Sequence, residues 1–525
     1  MCGIAGIWGD GGPEAGRLVQ AMLCAMAHRG PDGIGLQRLP GGWLGHARLA
    51  IVDLATGDQP LPDRSGRTWA VVNGEIYNHL YLRHELGGSR FLTGSDSEAA
   101  LVQISDVGPE GFSLLDGMFA AVVATPERLI LGRDPLGIKP LYVGRDARGN
   151  LLFASEVGAL LPYVETAEEV PPGTWLDSDG NRGRHSSLPA EGREQGWRPR
   201  RWITDSDQAV AEVGALLERA VAKRLMADVP VGVFLSGGLD SSLIAALAVK
   251  QAKGQRLKSF AIGLSGSADL EHARLAAEYL GTEHRERVVD PDEIPRLLPK
   301  VIRHLESYDP SLVRSAVVTY LVSELAARHV KVVLSGEGAD ELFAGYQYLS
   351  GLKEPPRLQA ELLTITAGLH NTNLQRLDRM TMAHGLEGRV PFLDAALVEY
   401  VLSIDPGLKL QSHGRPEKWL LRRVAEPYLP ASVVWRKKEK FAVGTGVAQL
   451  LEAYAERLVP DRRLERHQPA GSPLATLETP ETKEEWLYQR LFRRYFRHPA
   501  ATGLVGHSHS LNPGQFTRWA RGEIA

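Results

Sequence analysis

Residues 229–242 read VPVGVFLSGGLDSS, and this stretch decides the fold of the second half of the chain. An apolar, largely β-branched run is followed by Gly237 and Gly238 and then by LDSSLIAALAVK, which has a helical pattern. The pattern predicts a strand, a glycine turn and a helix start. Such a turn presents backbone N–H groups and the positive end of a helix dipole, so it suits a phosphate group. An ordinary turn, with Asp240 capping the helix, is the alternative interpretation.

A second turn of the same kind follows a predicted strand at residues 330–334 and reads SGEGADE (residues 335–341). A helix at residues 207–225, a strand at 259–264 and a helix at 268–280 are also predicted, and the chain is mainly helical from Pro356 onward. Alternating strands and helices indicate an α/β parallel sheet, whose ligands bind at the carboxyl ends of the strands. We therefore expect both glycine turns at one edge of this sheet.

The first third of the chain has a different pattern. Short strands bounded by turn residues and two helices are predicted at residues 2–8, 13–27 (helix), 68–72, 97–107 (helix), 119–124, 129–132 and 151–154. This order indicates an α+β domain with mostly antiparallel sheets. Residues 180–201 lack apolar periodicity and are predicted to be a linker. We expect domains at residues 1–200 and 205–525.

Composition narrows the class of protein. A chain of 525 residues exceeds one usual core, and a net charge of −3 provides no signal for binding polyanions, so no nucleic-acid partner is expected. The two cysteines, Cys2 and Cys24, suit a reducing compartment. Neither a secretory signal nor an apolar run of about 18 residues is seen, so we expect a cytoplasmic protein with no membrane partner. Cys24 lies in an apolar helical pattern and is expected in the core.

Cys2 directly follows the initiator methionine. Removal of that methionine would leave a thiol and a free α-amine on one residue, and an α-amine with a pKa of about 7.7 to 8.0 is a competent general base at neutral pH. By itself such a cysteine would be incidental, because any small residue can occupy the second position. The motifs that follow it change this interpretation.

Five motifs follow in order along the first hundred residues: CGIAGIW (2–8), HRGPD (28–32), GHARLAIVD (45–53), NGEIYN (73–78) and TGSD (93–96). Together they resemble the class II glutamine amidotransferases, which are N-terminal-nucleophile hydrolases. The resemblance implies an αββα fold in which Cys2 attacks the glutamine amide while the Asn73 side chain and the Gly74 N–H stabilise the oxyanion.

The same resemblance assigns the residues that bind glutamine. They comprise a cation for its carboxylate, two carboxylates for its amino end, the backbone that lines the pocket and the oxyanion pair: Arg48, Glu75, Asp96, Ile51, Val52, Asn73 and Gly74. A guanidinium can bind a carboxylate bidentately, which agrees with the first assignment. A surface salt bridge at Arg48 and a type I′ hairpin turn at Asn73 and Gly74 remain alternative interpretations.

The chain as a whole resembles the glutamine-hydrolysing asparagine synthetases from residue 2 to about residue 441. The matching pieces beyond SGGLDSS are SFAIGL (259–264), ESYD (306–309), VLSGEGADE (333–341), RVPFLD (389–394), LPAS (429–432) and WRKKE (435–439). The resemblance implies an ATP-pyrophosphatase domain with a helical carboxy-terminal part. It places these residues around ATP: Phe234, Ser236, Gly237, Gly238, Asp240, Ser241, Ser242, Ile262, Ser335 and Gly336.

Magnesium and the catalytic groups follow from the same family resemblance. Asp240 and Asp340 would bind Mg²⁺ beside the pyrophosphate, since magnesium prefers one or two carboxylates with phosphate oxygens and water. Glu337 would accept a proton during attack by ammonia, and Lys438 would balance phosphate charge. The alternatives are that Asp340 caps a helix and that the basic run at residues 436–440 is a solvated face.

The implied reaction uses ATP and Mg²⁺: aspartate is adenylated, glutamine hydrolysis frees ammonia, and ammonia displaces AMP to form asparagine. The segment PSLVR (310–314) departs from the family's threonine-rich pattern, although Ser311 and Arg314 keep a hydroxyl and a cation for the acceptor. Another carboxylate, on a peptide or an envelope precursor, is therefore the nearest alternative acceptor. A β-lactam-type cyclase, a tRNA-modifying enzyme and a non-catalytic sensor are more distant alternatives. The sequence does not define the oligomeric state, for which a homodimer is our expectation.

Overall fold

The structure is a computed structural model that describes residues 2–189, 197–252, 254, 256–411, 415–437, 445–461, 463, 480 and 482–507. The strands of the amino-terminal region (residues 2–189) are β1 Gly3–Trp8, β2 Gly33–Leu39, β3 Gly42–Arg48, β4 Leu61–Pro62, β5 Trp69–Ile76, β6 Gly117–Ala124, β7 Leu129–Arg133, β8 Tyr142–Arg145, β9 Leu151–Ala154, β10 Thr166–Glu169, β11 Thr174–Asp177 and β12 Arg182–Arg184. Its helices are α1 Pro13–Ala25, α2 His79–Leu86, α3 Ser97–Val107 and α4 Val157–Leu160.

The strands of the carboxy-terminal region (residues 197–507) are β13 Val231–Phe234, β14 Lys258–Gly263, β15 Glu283–Val288, β16 Val332–Leu334 and β17 Glu387–Arg389. Its helices are α5 Ser206–Arg224, α6 Leu239–Gln251, α7 Ala268–Leu280, α8 Glu293–Leu305, α9 Pro310–Ala327, α10 Ala339–Leu342, α11 Pro355–Ala367, α12 Asn373–Met382, α13 Ala395–Leu402, α14 Trp419–Ala425, α15 Ala431–Val434, α16 Val447–Leu458 and α17 Lys483–Tyr495.

The amino-terminal region contains two six-stranded antiparallel sheets, in the orders β10-β8-β9-β1-β3-β2 and β12-β11-β7-β6-β5-β4. Alternate residues of a strand point to opposite faces of the sheet, so neighbouring residues of β5 pack in different layers. Val71 packs between the two sheets, whereas Val72 packs against α3 on the outer face. Helix α1 covers the outer face of the first sheet through Val19 and Leu23. The layers are therefore helix, sheet, sheet and helix, which confirms the predicted αββα fold.

The carboxy-terminal region contains a five-stranded parallel sheet in the order β15-β14-β13-β16-β17. The chain order reverses between β13 and β16, which are neighbours in the sheet. In open α/β sheets, ligands bind at such a reversal, beyond the carboxyl ends of the strands. The two glycine turns follow β13 and β16, so this sheet confirms the predicted α/β fold and their common edge.

Two predictions of local structure were wrong. The stretch at residues 180–201 is not only a linker, because β12 pairs with β11 inside the second sheet. Cys24 is exposed rather than in the core. Helix α1 turns its Val19, Met22 and Leu23 face to the first sheet, and Cys24 projects from the other side. Among the described residues, no helix combines the length and the apolar character needed to cross a bilayer.

Candidate functional site

Cys2 lies immediately before β1 and is buried, with 6% of its surface exposed. Its nitrogen donates to Asn73 Oδ1 at 3.0 Å, and its Sγ lies 3.9 Å from the Leu49 carbonyl oxygen. Burial raises the pKa of the Cys2 thiol, so little thiolate is present at neutral pH. A thiol in this state needs a neighbouring base, and the α-amine released by methionine removal would be on the same residue.

Asn73 and Gly74 lie in the middle of β5, opposite Ala120 and Phe119 of β6. The hairpin-turn alternative is therefore wrong. Gly74 has a φ of +143°, and a Cβ at this position would lie 1.9 Å from the Met118 carbonyl oxygen, so the strand requires glycine here. Asn73 Nδ2 is buried and has no hydrogen-bond partner among the described residues. This orphaned donor suits an oxyanion that forms only during the reaction.

A pocket opens beside Cys2. Seven predicted residues line it: Cys2, Arg48, Ile51, Val52, Gly74, Glu75 and Asp96. They come from the residue before β1, from β3 and β5, and from the segments that follow β3 and precede α3. The fold thus gathers groups that are up to 94 residues apart in the chain, since both Cys2 and Asp96 line the pocket.

Arg48 is mostly buried and is held by the segment that follows it. Its Nη2 donates to the Asp53 carbonyl oxygen at 2.6 Å, and its Nη1 donates to Asp58 Oδ1 at 2.7 Å. Asp58 is a solvent-exposed carboxylate, whereas the Arg48 side chain is only 10% exposed. An incoming carboxylate would therefore compete with one exposed aspartate for a guanidinium whose orientation the backbone already sets.

The other end of the pocket is acidic. Asp96 Oδ2 accepts a hydrogen bond from the Ile76 N–H at 2.7 Å, and burial raises the pKa of Asp96 to about 6. Burial, together with the neighbouring Glu387 carboxylate, raises the pKa of Glu75 well above its usual range. A ligand ammonium would relieve this crowding of buried carboxylates. The predicted contact with the glutamine amino end therefore has an electrostatic reason.

Arg389 of β17 reaches this acidic end from the carboxy-terminal region. Its Nη2 lies 3.5 Å from Glu75 Oε2, and its Nε donates to Glu387 Oε1 at 2.5 Å. The sequence motif RVPFLD (389–394) contains Arg389 but indicates no role for it, because nothing local shows that β17 adjoins the pocket. His46 was also missed. It lines the pocket, and burial lowers its pKa to about 3, so its imidazole is neutral.

The turn after β13 has the predicted form. Gly237 has a φ of +69°, and a Cβ there would lie 2.3 Å from the His272 carbonyl carbon. Ser241 Oγ accepts from the Ser236 N–H at 3.2 Å, which closes the turn, and Gly238 is the N-cap residue of α6. Asp240 does not cap the helix, because its carboxylate bonds elsewhere. The turn therefore leaves the helix start open to an anion.

The turn after β16 packs directly against the first one. A Cβ at Gly336 would lie 3.0 Å from Asp240 Cβ, and the Ser335 N–H donates to the Arg389 carbonyl oxygen at 2.9 Å. Gly338, with a φ of +97°, is the N-cap residue of α10, so Asp340 does not cap that helix. The two aspartates predicted to bind metal thus come from adjoining turns.

Lys418 joins these two aspartates and was missed in the sequence. Its Nζ lies 2.6 Å from Asp240 Oδ2 and also contacts Asp340 Oδ1. Burial disfavours the charged amine, but the two carboxylates raise the pKa of Lys418 above its usual value. Gly345 makes room, since a Cβ there would lie 2.0 Å from Lys418 Cε. Lys418 precedes α14 without a sequence pattern that points to the turns.

The paired aspartates fit a magnesium site. Both carboxylates reach one ammonium group, and Asp240 Oδ1 is buried without a hydrogen-bond partner among the described residues. One or two carboxylates are the usual protein contribution to bound Mg²⁺, with phosphate oxygens and water completing the shell. The described residues contain no cluster of three or more histidine, cysteine, aspartate or glutamate side chains that could hold a metal ion.

Glu337 contacts Arg376 of α12, whose side chain is 9% exposed. Two residues further along α12, Asp378 accepts from Arg29 at 2.8 and 3.2 Å. Arg29 Nε in turn donates to the Cys2 carbonyl oxygen at 3.1 Å. One helix therefore contacts the surroundings of both Cys2 and Glu337, and the sequence did not indicate it.

The predicted acceptor residues lie in the first turn and a half of α9. Arg314 is not free, because its Nε bonds Glu484 Oε1 of α17 at 2.9 Å, and Ser311 is half-buried. Leu312 is 2% exposed and packs in the main apolar core, while Asp309 accepts its N–H at 2.8 Å as the helix cap. A hydroxyl at position 312 would therefore enter an apolar environment in this chain.

The remaining predicted ATP residues occupy the same part of the sheet. Phe234 ends β13 and is half-buried, Ile262 of β14 is buried, and Ser242 of α6 is buried with its hydroxyl unpartnered among the described residues. Their contacts with ATP stay predictions. Lys438 lies outside the described residues.

Two family models match most of this chain. The asparagine synthase family model matches residues 212–363 and 351–521, and a glutamine amidotransferase domain model matches residues 1–174. Asparagine synthetase B [glutamine-hydrolyzing] of Escherichia coli is 37% identical over 99% of this chain and 96% of its own length. Asparagine synthetase [glutamine-hydrolyzing] 2 of Arabidopsis thaliana is 36% identical over 99% and 92%, and the probable asparagine synthetase of Schizosaccharomyces pombe is 38% identical over 91% and 90%.

Among solved structures, an allosteric regulatory enzyme of purine biosynthesis aligns with 55% of this chain and 80% of its own, at 20% identity and a TM-score of 0.32. An NH3-dependent NAD synthetase from Campylobacter jejuni aligns with 57% and 97%, at 15% identity and a TM-score of 0.24.

Proposed function

Because this chain belongs to the family of glutamine-hydrolysing asparagine synthetases, we propose that it amidates aspartate with ammonia taken from glutamine. ATP would be converted to AMP and pyrophosphate, with β-aspartyl-AMP as the intermediate and with asparagine and glutamate as the other products. One observation supports this proposal above all. A buried cysteine pocket with an orphaned amide donor and a pair of phosphate-type turns occur in the same chain.

The first reaction takes place at Cys2. The α-amine accepts the thiol proton, the thiolate attacks the glutamine amide carbon, and Asn73 Nδ2 with the Gly74 N–H stabilises the oxyanion. Loss of one such donor typically raises the barrier by about 3 kcal/mol. The held proton passes to the departing nitrogen, which leaves as ammonia, and water then hydrolyses the thioester to glutamate. Arg48 and Asp96 would orient the substrate by its two charged ends.

The second reaction takes place at the two turns. The aspartate side-chain carboxylate attacks the α-phosphorus of ATP, and pyrophosphate leaves against the N–H groups of the turn after β13. Lys418 supplies positive charge at this point, and Lys438 is proposed to supply more. Magnesium held by Asp240 and Asp340 would, when bound, neutralise phosphate charge. Ammonia then attacks the acyl carbon, AMP leaves, and Glu337 accepts the proton lost by nitrogen.

The two sites lie at opposite ends of the parallel strands. Ile51 of the cysteine pocket packs against Val231 and Val332, the first residues of β13 and β16, whereas the phosphate-type turns follow the last residues of these strands. Strands of three and four residues span roughly 10 to 13 Å at about 3.3 Å per residue. We propose that ammonia crosses this distance inside the protein, since ammonium, its bulk form, is not nucleophilic.

We also propose domains at residues 1–200 and 205–525, a cytoplasmic location and a homodimer. The change from antiparallel to parallel sheets supports the division into domains. The low cysteine content supports the location. Sedimentation of the purified protein would test the homodimer.

Pyrophosphate release tests the proposed function. Wild-type protein is supplied with ATP, magnesium and glutamine, and each candidate carboxylate is added in turn. We expect aspartate to stimulate release and asparagine to appear in equal amount. Stimulation by a peptide or envelope precursor but not by aspartate would contradict the assignment. Repeating the assay with ammonium and Cys2→Ala separates the synthetase reaction from the glutaminase reaction.

A further inference from the structure

Asp228 connects the carboxy-terminal region to the edge of the cysteine pocket. It lies between α5 and β13, is exposed, and bonds the segment at residues 51–53 twice. Its N–H donates to the Ile51 carbonyl oxygen at 2.9 Å, and its Oδ2 accepts from the Asp53 N–H at 2.7 Å. These bonds join distant parts of the chain, and the second one spans 175 positions.

The held residue, Asp53, has a conformation that side chains rarely adopt. Its φ is +52°, in the left-handed region. Its carboxylate accepts from Thr56 N at 3.0 Å and from Gly94 N at 2.8 Å, which ties the turn to the segment before α3. Its backbone N–H donates to the Asp228 carboxylate. The conformation of Asp53 therefore depends on a partner from the other region of the chain.

This conformation determines where Arg48 lies. The Asp53 carbonyl oxygen accepts from Arg48 Nη2 at 2.6 Å, which is shorter than the 3.5 Å contact of Arg48 Nη1 with the Leu54 carbonyl oxygen. Ile51, which receives the other bond from Asp228, lines the pocket itself. A change at Asp53 would therefore move both the proposed glutamine carboxylate ligand and one wall of the pocket.

A second link between the two regions acts on Ala50, the residue before Ile51. Lys331 Nζ lies 2.7 Å from Asp32 Oδ2, which accepts the Ala50 N–H at 2.8 Å. Below the segment, Leu49 and Ile51 pack against Met382 and the starts of β13 and β16. The packing supports the segment, but only directed hydrogen bonds fix the rotation of its peptide groups.

We propose that Asp228 is a positioning residue for glutamine: it acts through Asp53 to hold Arg48 in the orientation that binds the substrate carboxylate. This inference rests on the proposed glutaminase function. It makes glutamine binding dependent on contact with the carboxy-terminal region, although Asp228 touches neither glutamine nor Cys2.

The test uses full-length protein with Asp228→Ala and Asp228→Asn. Asparagine keeps an oxygen acceptor for the Asp53 N–H, whereas alanine removes it. Steady-state glutamine hydrolysis provides KM and kcat, and ammonium-dependent amidation of aspartate reports on the other site. We expect Asp228→Ala to raise the glutamine KM about 10-fold, as for a lost hydrogen bond to a charged group. We expect kcat to change less than about 2-fold, Asp228→Asn to restore most of the affinity, and ammonium-dependent synthesis to be unchanged in both variants.

Three outcomes would overturn the proposal: an unchanged KM in Asp228→Ala, equal loss in both variants, or a matching loss of ammonium-dependent synthesis, which indicates general structural damage. Asp228 is exposed, so both variants should fold, and matching thermal melts establish this. If the position of the segment at residues 51–53 determines glutamine affinity, Lys331→Met should also raise the glutamine KM. An unchanged KM in Lys331→Met would contradict this cause. A failure of the proposed function would be distinguishable from a failure of this inference. In that case wild-type protein would hydrolyse glutamine but would not amidate aspartate. The comparison of glutamine KM values would still decide the role of Asp228.

Discussion

Removing the guanidinium that contacts Glu337 tests the proposed proton acceptor most directly. Arg376 is 9% exposed and Glu337 is 23% exposed, so water screens this pair only in part. Arg376→Met keeps most of the side-chain length and apolar contact but removes the charge, whereas Arg376→Lys keeps the charge with a different geometry. Both variants leave Glu337 itself intact.

The magnitude follows from the contact. A hydrogen bond to a charged group contributes about 1.5 to 3 kcal/mol. If that contact orients Glu337 for the attack by ammonia, its loss lowers the synthetic rate by roughly 10- to 150-fold, at about 1.4 kcal/mol for each factor of ten. Arg376 Nε is buried without a hydrogen-bond partner among the described residues, and the contact with Glu337 is made through Nη2. Lysine should restore part of the rate.

The assay compares asparagine formation from glutamine and from ammonium with glutamine hydrolysis in the absence of ATP. We expect Arg376→Met to lower both synthetic rates by the same factor and to leave hydrolysis within about 2-fold of wild type. Synthetic rates equal to or above those of wild type would refute the reasoning, since Arg376 would then not help Glu337. An equal loss of hydrolysis would show that α12 had been displaced as a whole.

Three further predictions concern the two sites. Cys2→Ala should abolish glutamine-dependent amidation and spare amidation from ammonium, measured as asparagine formed; loss of both would contradict the division of labour. The glutamine KM for hydrolysis should rise about 10-fold between pH 7 and pH 5, because the pKa of Asp96 is raised to about 6 by burial and its carboxylate becomes neutral as the pH falls through that value. Asp96→Asn should raise the KM at pH 7 and flatten this dependence, and a pH-dependent KM in that variant would point to Glu75 instead. Lys418→Met should lower synthesis by at least about 100-fold, leave hydrolysis unchanged, and lower stability by up to about 3 kcal/mol. Magnesium should raise the melting temperature of this variant more than that of wild type, because it can replace the lost cation between Asp240 and Asp340, and equal shifts would contradict their placement at a metal site.

Much of the fold could be predicted from local patterns. The helices at residues 97–107 and 268–280 and the strand at 151–154 match the observed bounds, because apolar periodicity and flanking turn residues act over a few positions. The turn after β13 was predicted for the same reason, since glycine supplies the positive φ that the turn requires. Cys24 was misplaced because a helix buries one face, and its position relative to the first sheet is not visible in a short apolar run.

The sequence by itself determined the two domain types and predicted Cys2 as the nucleophile and Asp240 and Asp340 as metal ligands, because each depends on chemistry carried within a short motif. Only the tertiary structure decided that Lys418 joins Asp240 to Asp340 and that Arg389 reaches Glu75. It alone also decided that Asp228 holds the segment beside Arg48. These contacts depend on which strands are neighbours and which ends face one another. That choice is made by the packing of the whole chain, and no short stretch of sequence records it.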